Sequence, residues 1–142
     1  MASPVSDQPH ALPETRSGPA DPGRTVRRVV RSFGYAFEGL VTLLRTQPNF
    51  WVHLAAAAAA LALSVLLRLS LAEIALVALT IGLVLVTEAF NTVLETLCDV
   101  VSPSYHPLVK RAKDVSAAAV LLAALAALAV AVVLFVPRLL AA

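Results

Sequence analysis

The sequence predicts an all-α membrane protein, with an amphipathic surface helix near the N-terminus followed by three transmembrane helices. Three observations carry that expectation. Apolar residues make up 59% of the 142 residues and charged residues 14%, a balance foreign to soluble domains. The apolar residues gather in three runs, near residues 50–67, 72–101 and 107–136, each long enough to cross a bilayer core as a helix. Lysine and arginine collect mostly at the connections on one side of those runs.

The elements follow in chain order. Residues 1–23 are rich in Pro, Ser, Gly and Asp without apolar periodicity, and a disordered tail is expected there. No apolar core follows Met1, so a cleavable signal peptide is not expected. The rest of the chain, 24–142, reads as one membrane unit. Over 24–46, Val26, Val29, Val30, Phe33, Phe37, Leu40, Val41 and Leu44 recur at helical spacing, behind Arg24, Arg27, Arg28 and Arg31. Such a helix lies in the headgroup layer, its arginines drawn to anionic lipid, or packs on the protein's own bundle.

The first run is alanine-rich, and about 18 residues reach roughly 27 Å. Trp51 suits an interface, and His53 is read as an interfacial histidine in preference to a catalytic one. Arg68, Leu69 and Ser70 form a turn. The second run is apolar from Ile74 to Val86, then continues to Val101 with polar residues on one side. A loop with two prolines, from Ser102 to about Pro107, separates it from the third run, which is expected to stop at Pro137 and Arg138. Cys98, the one cysteine, excludes an internal disulfide and reads as a small packed side chain.

Charge sets the orientation and narrows the partners. Arg16, Arg24, Arg27, Arg28, Arg31 and Arg45 precede the first span, and Lys110, Arg111 and Lys113 lie between the second and third. The opposite side has Arg68 and Arg138. The N-terminus and second loop are therefore expected in the cytoplasm. A net charge of +2 gives no reason to expect a nucleic-acid partner.

The chemistry is concentrated on the second span. Glu88, Asn91, Glu95 and Asp99 stand at offsets of 3, 7 and 11, which places them within roughly 80° of one another on a helix. Ionisable groups beside a membrane are costly unless paired or facing a polar cavity. Arg111, Lys113 and Asp114 open the third helix at what should be the same depth. Acids facing basic groups make either a structural clamp or a site for a divalent cation and a polyphosphate. No Walker-type glycine loop or soluble kinase signature is present.

These residues carry a resemblance. Glu88, Asn91, Glu95 and Asp99, then Tyr105 and His106, then Arg111, Lys113 and Asp114 with Ala118, Ala119 and Val120 resemble the small bacterial membrane kinases of diacylglycerol and undecaprenol. Ser32 to Ala36, and Asn49 and Phe50 with His53, extend the likeness to about residues 24–136. The resemblance implies Glu88 as the base for the lipid hydroxyl, Glu95 as a ligand of the Mg²⁺ that bridges the ATP phosphates, and Asn91 as their support. It implies Lys113 as the clamp on the transferred phosphoryl, with Asp114 orienting it or the nucleotide. Ser104, Tyr105, His106, Arg28 and Tyr35 match positions near the nucleotide. Members usually have a glutamate as second metal ligand where Gln47 stands; an amide oxygen can still ligate Mg²⁺, without charge. The Val115, Ser116, Ala117 pattern is closer to the undecaprenol type. The resemblance also implies a homotrimer with shared sites.

The expected function is thus an ATP- and Mg²⁺-dependent lipid kinase of the bacterial inner membrane. Two alternatives stand beside it, a catalytically impaired assembly protein of the same fold and a proton or ion pathway through the same acids. His106 reads equally as a functional loop residue or as a turn-stabilising one.

Overall fold

The computed structural model describes residues 22–141, so residues 1–21 of the expected tail lie outside the described residues. Pro22 and Gly23 already belong to the first helix. Among the described residues the chain is all-helical: α1 (Pro22–Thr46), α2 (Pro48–Leu66), α3 (Leu71–Val101) and α4 (Pro107–Leu140). It divides into two units, one reaching Phe37 and one beginning at Glu38.

The described part of the first unit is the front of α1. Arg24, Arg27, Arg28, Val30 and Arg31 line an open depression there. Val26, Phe33, Tyr35 and Phe37 are exposed.

The second unit begins with the end of α1. Pro48 occupies the first turn of α2, where its missing N–H is no loss. A proline also pushes the preceding residue out of helical geometry, and Gln47 is extended, with φ −114° and ψ 100°. The break is stitched by Trp51, whose Nε1 donates to the Leu44 carbonyl at 2.8 Å.

The α2–α3 corner is the expected turn, with a conformation that composition did not announce. Arg68 has φ 52°, a left-handed position usually given to glycine. Its N–H donates to Val65 O at 3.1 Å, and the N–H of Leu69 donates to Ser64 O at 2.9 Å. This is the Schellman pattern of a helix end, and Leu69, the residue after the left-handed one, is buried. Ser70 and Glu73 then form a capping box that starts α3.

At the other end of the chain, α4 does not stop at Pro137 but runs on to Leu140. In the last turn a proline forfeits only one helical hydrogen bond. Arg138 holds the turn in place. Its Nη1 donates to Leu134 O at 2.8 Å, and its Nη2 reaches both carboxylate oxygens of Glu73, at 2.8 and 2.9 Å. The α2–α3 corner, the start of α3 and the end of α4 thus meet at one end of the unit. There Leu69, Val77, Leu134 and Phe135 form its buried apolar cluster.

Helices α3 and α4 form the main interface, with α2 packed chiefly on α3. All three are long and apolar enough to cross a membrane. At most 22% of each helix's most apolar window is buried inside the chain, so most of that apolar surface points outward, as lipid or further protein requires.

Candidate active site

The stripe on α3 runs from buried to exposed. Glu88 is 2% exposed and Asn91 8%, Glu95 is half-buried and Asp99 is exposed. A helix that only ended in solvent would not carry an acid deepest; here the most buried position of the stripe holds one of its three carboxylates.

The other two helices complete the surroundings. From α4, Ser116 is buried and its Oγ donates to Asn91 Oδ1 at 2.5 Å. That fixes the amide with its NH₂ turned toward Glu95, and Asn91 Nδ2 donates to Glu95 Oε1 at 3.3 Å. From α2, His53 brings its Nε2 to 4.0 Å from Glu88 Oε2. A cavity of about 350 Å³ lies among these groups, lined by Asn49 and His53 of α2, by Glu88, Asn91 and Glu95 of α3, and by small and apolar residues of α4 including Ala117, Val120 and Ala124. Alanines on α4 let the helices approach closely while leaving room beside the carboxylates.

Lys113, expected opposite the stripe, is present at this end and already engaged. Lys113 Nζ donates to Asp99 Oδ1 at 2.5 Å, tying the end of α3 to the start of α4. Lys110 bonds Asp114 at 2.5 Å; both are 60% exposed, so this pair contributes little stability. Neither Lys113 nor Asp114 lines the cavity.

The remaining expected residues scatter. Gln47 caps α2 with no side-chain cap bond and does not line the cavity, whereas Asn49 does. Ser104 and Tyr105 are exposed in the α3–α4 loop. His106 is the N-cap of α4, its Nδ1 accepting from Leu108 N–H at 3.2 Å, which is the turn-stabilising arrangement. Arg28 and Tyr35 belong to the first unit. His53, which the sequence presents as an interfacial histidine, and Ser116, which it presents only within a small-residue pattern, join the site. Each acts through a partner on another helix, 35 and 25 positions away.

Chemically, the cavity offers carboxylate and amide oxygens with one imidazole. Among the described residues no group of three or more His, Cys, Asp or Glu comes together to enclose a metal. Mg²⁺ does not need such a cage, because it binds through one or two carboxylates together with water and substrate phosphates. Glu95, with Asn91 beside it, fits that pattern.

Comparison with known proteins places the chain in a family. Residues 34–135 match the family described as prokaryotic diacylglycerol kinase. A diacylglycerol kinase of Synechocystis is 44% identical over 110 residues, 77% of this chain and 63% of that protein; the chain therefore spans less than two thirds of that relative's length. An undecaprenol kinase of Bacillus subtilis is 36% identical over 114 residues, 80% of this chain and 93% of its own. The Escherichia coli K12 diacylglycerol kinase is 29% identical over 100 residues, 70% of this chain and 82% of its own. With the matched residues covering α2, α3 and nearly all of α4, the chain belongs to the prokaryotic diacylglycerol kinase family.

Proposed function

We propose that this protein is a lipid kinase that transfers the γ-phosphoryl of ATP to the hydroxyl of a membrane lipid, diacylglycerol or undecaprenol. The observation that carries the reading is Glu88, a buried carboxylate whose cavity also holds Asn91 and Glu95. A carboxylate removed from bulk water and facing a polar cavity is suited to take a proton from an alcohol.

In this reading the lipid O–H bond breaks and its proton passes to Glu88. The freed electron pair attacks the γ-phosphorus, and the bond to the β–γ bridging oxygen breaks as ADP leaves. Little covalent chemistry is asked of the protein, so positioning and charge stabilisation dominate. Mg²⁺ bound with ATP would neutralise phosphate charge, and Glu95 would hold it; Gln47, which the resemblance offers as second ligand, does not line the cavity and is left out of the metal site. Asn91 keeps Glu95 oriented. Lys113 exchanges Asp99 for the transferred phosphoryl, with Asp114 beside it. Ser104, Tyr105 and His106 contact the nucleotide.

The setting is the bacterial inner membrane, with the N-terminus and the α3–α4 loop on the cytoplasmic side, where ATP is. The basic, amphipathic α1 lies in the headgroup layer. Three copies assemble with shared sites, which would cover part of the outward apolar surface.

The test is transfer of labelled phosphate from ATP by the purified full chain in nanodiscs, with diacylglycerol and undecaprenol side by side. Mg²⁺-dependent label in one lipid is expected. No label in either, from protein that elutes as a folded species, would sink the proposal. Gln47 favours one second reading, a catalytically impaired assembly protein, and the same null result would leave that reading standing.

A further inference from the structure

The proposed chemistry gives His53 no task, yet its position is specific. The imidazole stands in the second turn of α2, with Nε2 4.0 Å from Glu88 Oε2. That separation is too long for a direct hydrogen bond. One oxygen atom spans it when it bonds both groups at about 2.8 Å with an angle of about 90° between the two bonds. The Glu88 side chain is 3% exposed and that of His53 20%, so an oxygen held there is largely shielded from solvent.

His53 also stands where two cavities meet. With Ala124 it lines both the polar cavity and a second one of about 250 Å³ that runs between the three helices to Phe135. Among the described residues, the only polar side chain lining that groove beyond His53 is Thr80, whose Oγ1 donates to Val77 O at 2.8 Å. The groove is roughly eight times a water molecule's share of liquid volume, ~30 Å³, which suits the first part of one hydrocarbon chain. Imidazole and carboxylate at the head with an apolar trough behind match the polarity of an amphiphilic alcohol.

We propose that His53 positions the acceptor. Its Nε2–H donates to the acceptor's hydroxyl oxygen while Glu88 Oε2 takes the hydroxyl proton, and the acceptor's chain lies in the groove. His53 keeps its own proton throughout. It directs the oxygen's remaining lone pair toward the phosphorus and supplies no proton to the reaction. The inference rests on the lipid-kinase reading and adds to it the residue that grips the alcohol.

The experiment measures KM for the acceptor and for ATP separately, in nanodiscs, with whichever of diacylglycerol and undecaprenol the wild type phosphorylates. His53→Leu removes the donor, and its acceptor KM is expected to rise about tenfold, the loss of one hydrogen bond, with KM for ATP unchanged. His53→Gln places an amide N–H near the position of Nε2 and should restore most of the acceptor affinity. If the Leu variant does not assemble, His53→Asn serves, because its shorter amide cannot reach and should show the same rise. An unchanged acceptor KM in the Leu or Asn variant would overturn the proposal. So would equal impairment of Gln and Leu, or a parallel rise in KM for ATP. An inactive wild type would instead overturn the kinase reading beneath it.

Discussion

At one end of the unit that begins at Glu38, Glu73 is met by both Ser70 and Arg138, with guanidinium contacts at 2.8 and 2.9 Å. At the other end Glu88 is more deeply buried, and the nearest basic side chain brought to it is a histidine 4.0 Å away. The first arrangement is closed: the acid caps a helix, the base anchors another, and the apolar cluster of Leu69, Val77, Leu134 and Phe135 fills the space beneath. The second is open, with neighbouring oxygens fixed by Ser116 and Asn91 around a cavity. A charge with its full set of partners holds architecture together, whereas a buried one left facing a cavity is available to a substrate. The two ends of one bundle thus divide folding from chemistry.

Substitutions at the two ends should separate accordingly. Glu95→Gln removes the charge proposed to hold the metal, and phosphate transfer is expected to fall by about a hundredfold or more with a higher Mg²⁺ requirement. A titration of activity against Mg²⁺ reads both effects. Ser116→Ala leaves Asn91 Oδ1 without its donor; one buried hydrogen bond corresponds to roughly tenfold in kcat/KM.

Arg138→Ala belongs to the closed end and should invert the pattern. The thermal midpoint falls by several degrees while activity per folded molecule is retained. A loss of activity at unchanged midpoint would show that the ends are coupled. Gln47→Glu has the smallest expected effect, little change in half-saturating Mg²⁺, because Gln47 does not line the cavity of its own chain. A large gain would bring position 47 into the metal site and undo the assignment to α3 alone.

The contrast between the ends also explains what could be read in advance. Apolar run length announced three spans, and the offsets of 3 and 7 from Glu88 announced a stripe, because both are properties of one helix. The pairings that give each end its character are not local. Glu73 and Arg138 are 65 positions apart, and both look like ordinary interfacial charges in the sequence. His53 looks the same, beside Trp51 at a helix start, and only the packing of α2 on α3 turns it toward Glu88. Pro137 read as a stop because a proline breaks most helices; the Arg138 bonds that hold the last turn depend on a partner at the start of α3.

The most direct test lies at the deepest residue of the stripe. Glu88→Gln keeps the shape and burial of the side chain while removing the base. Wild type and variant, purified in nanodiscs at equal folded concentration, would be compared for transfer of labelled γ-phosphate to lipid. The account expects Mg²⁺-dependent lipid phosphate from the wild type and a background signal from the variant, with ATP binding retained. Equal transfer by the two proteins would contradict it.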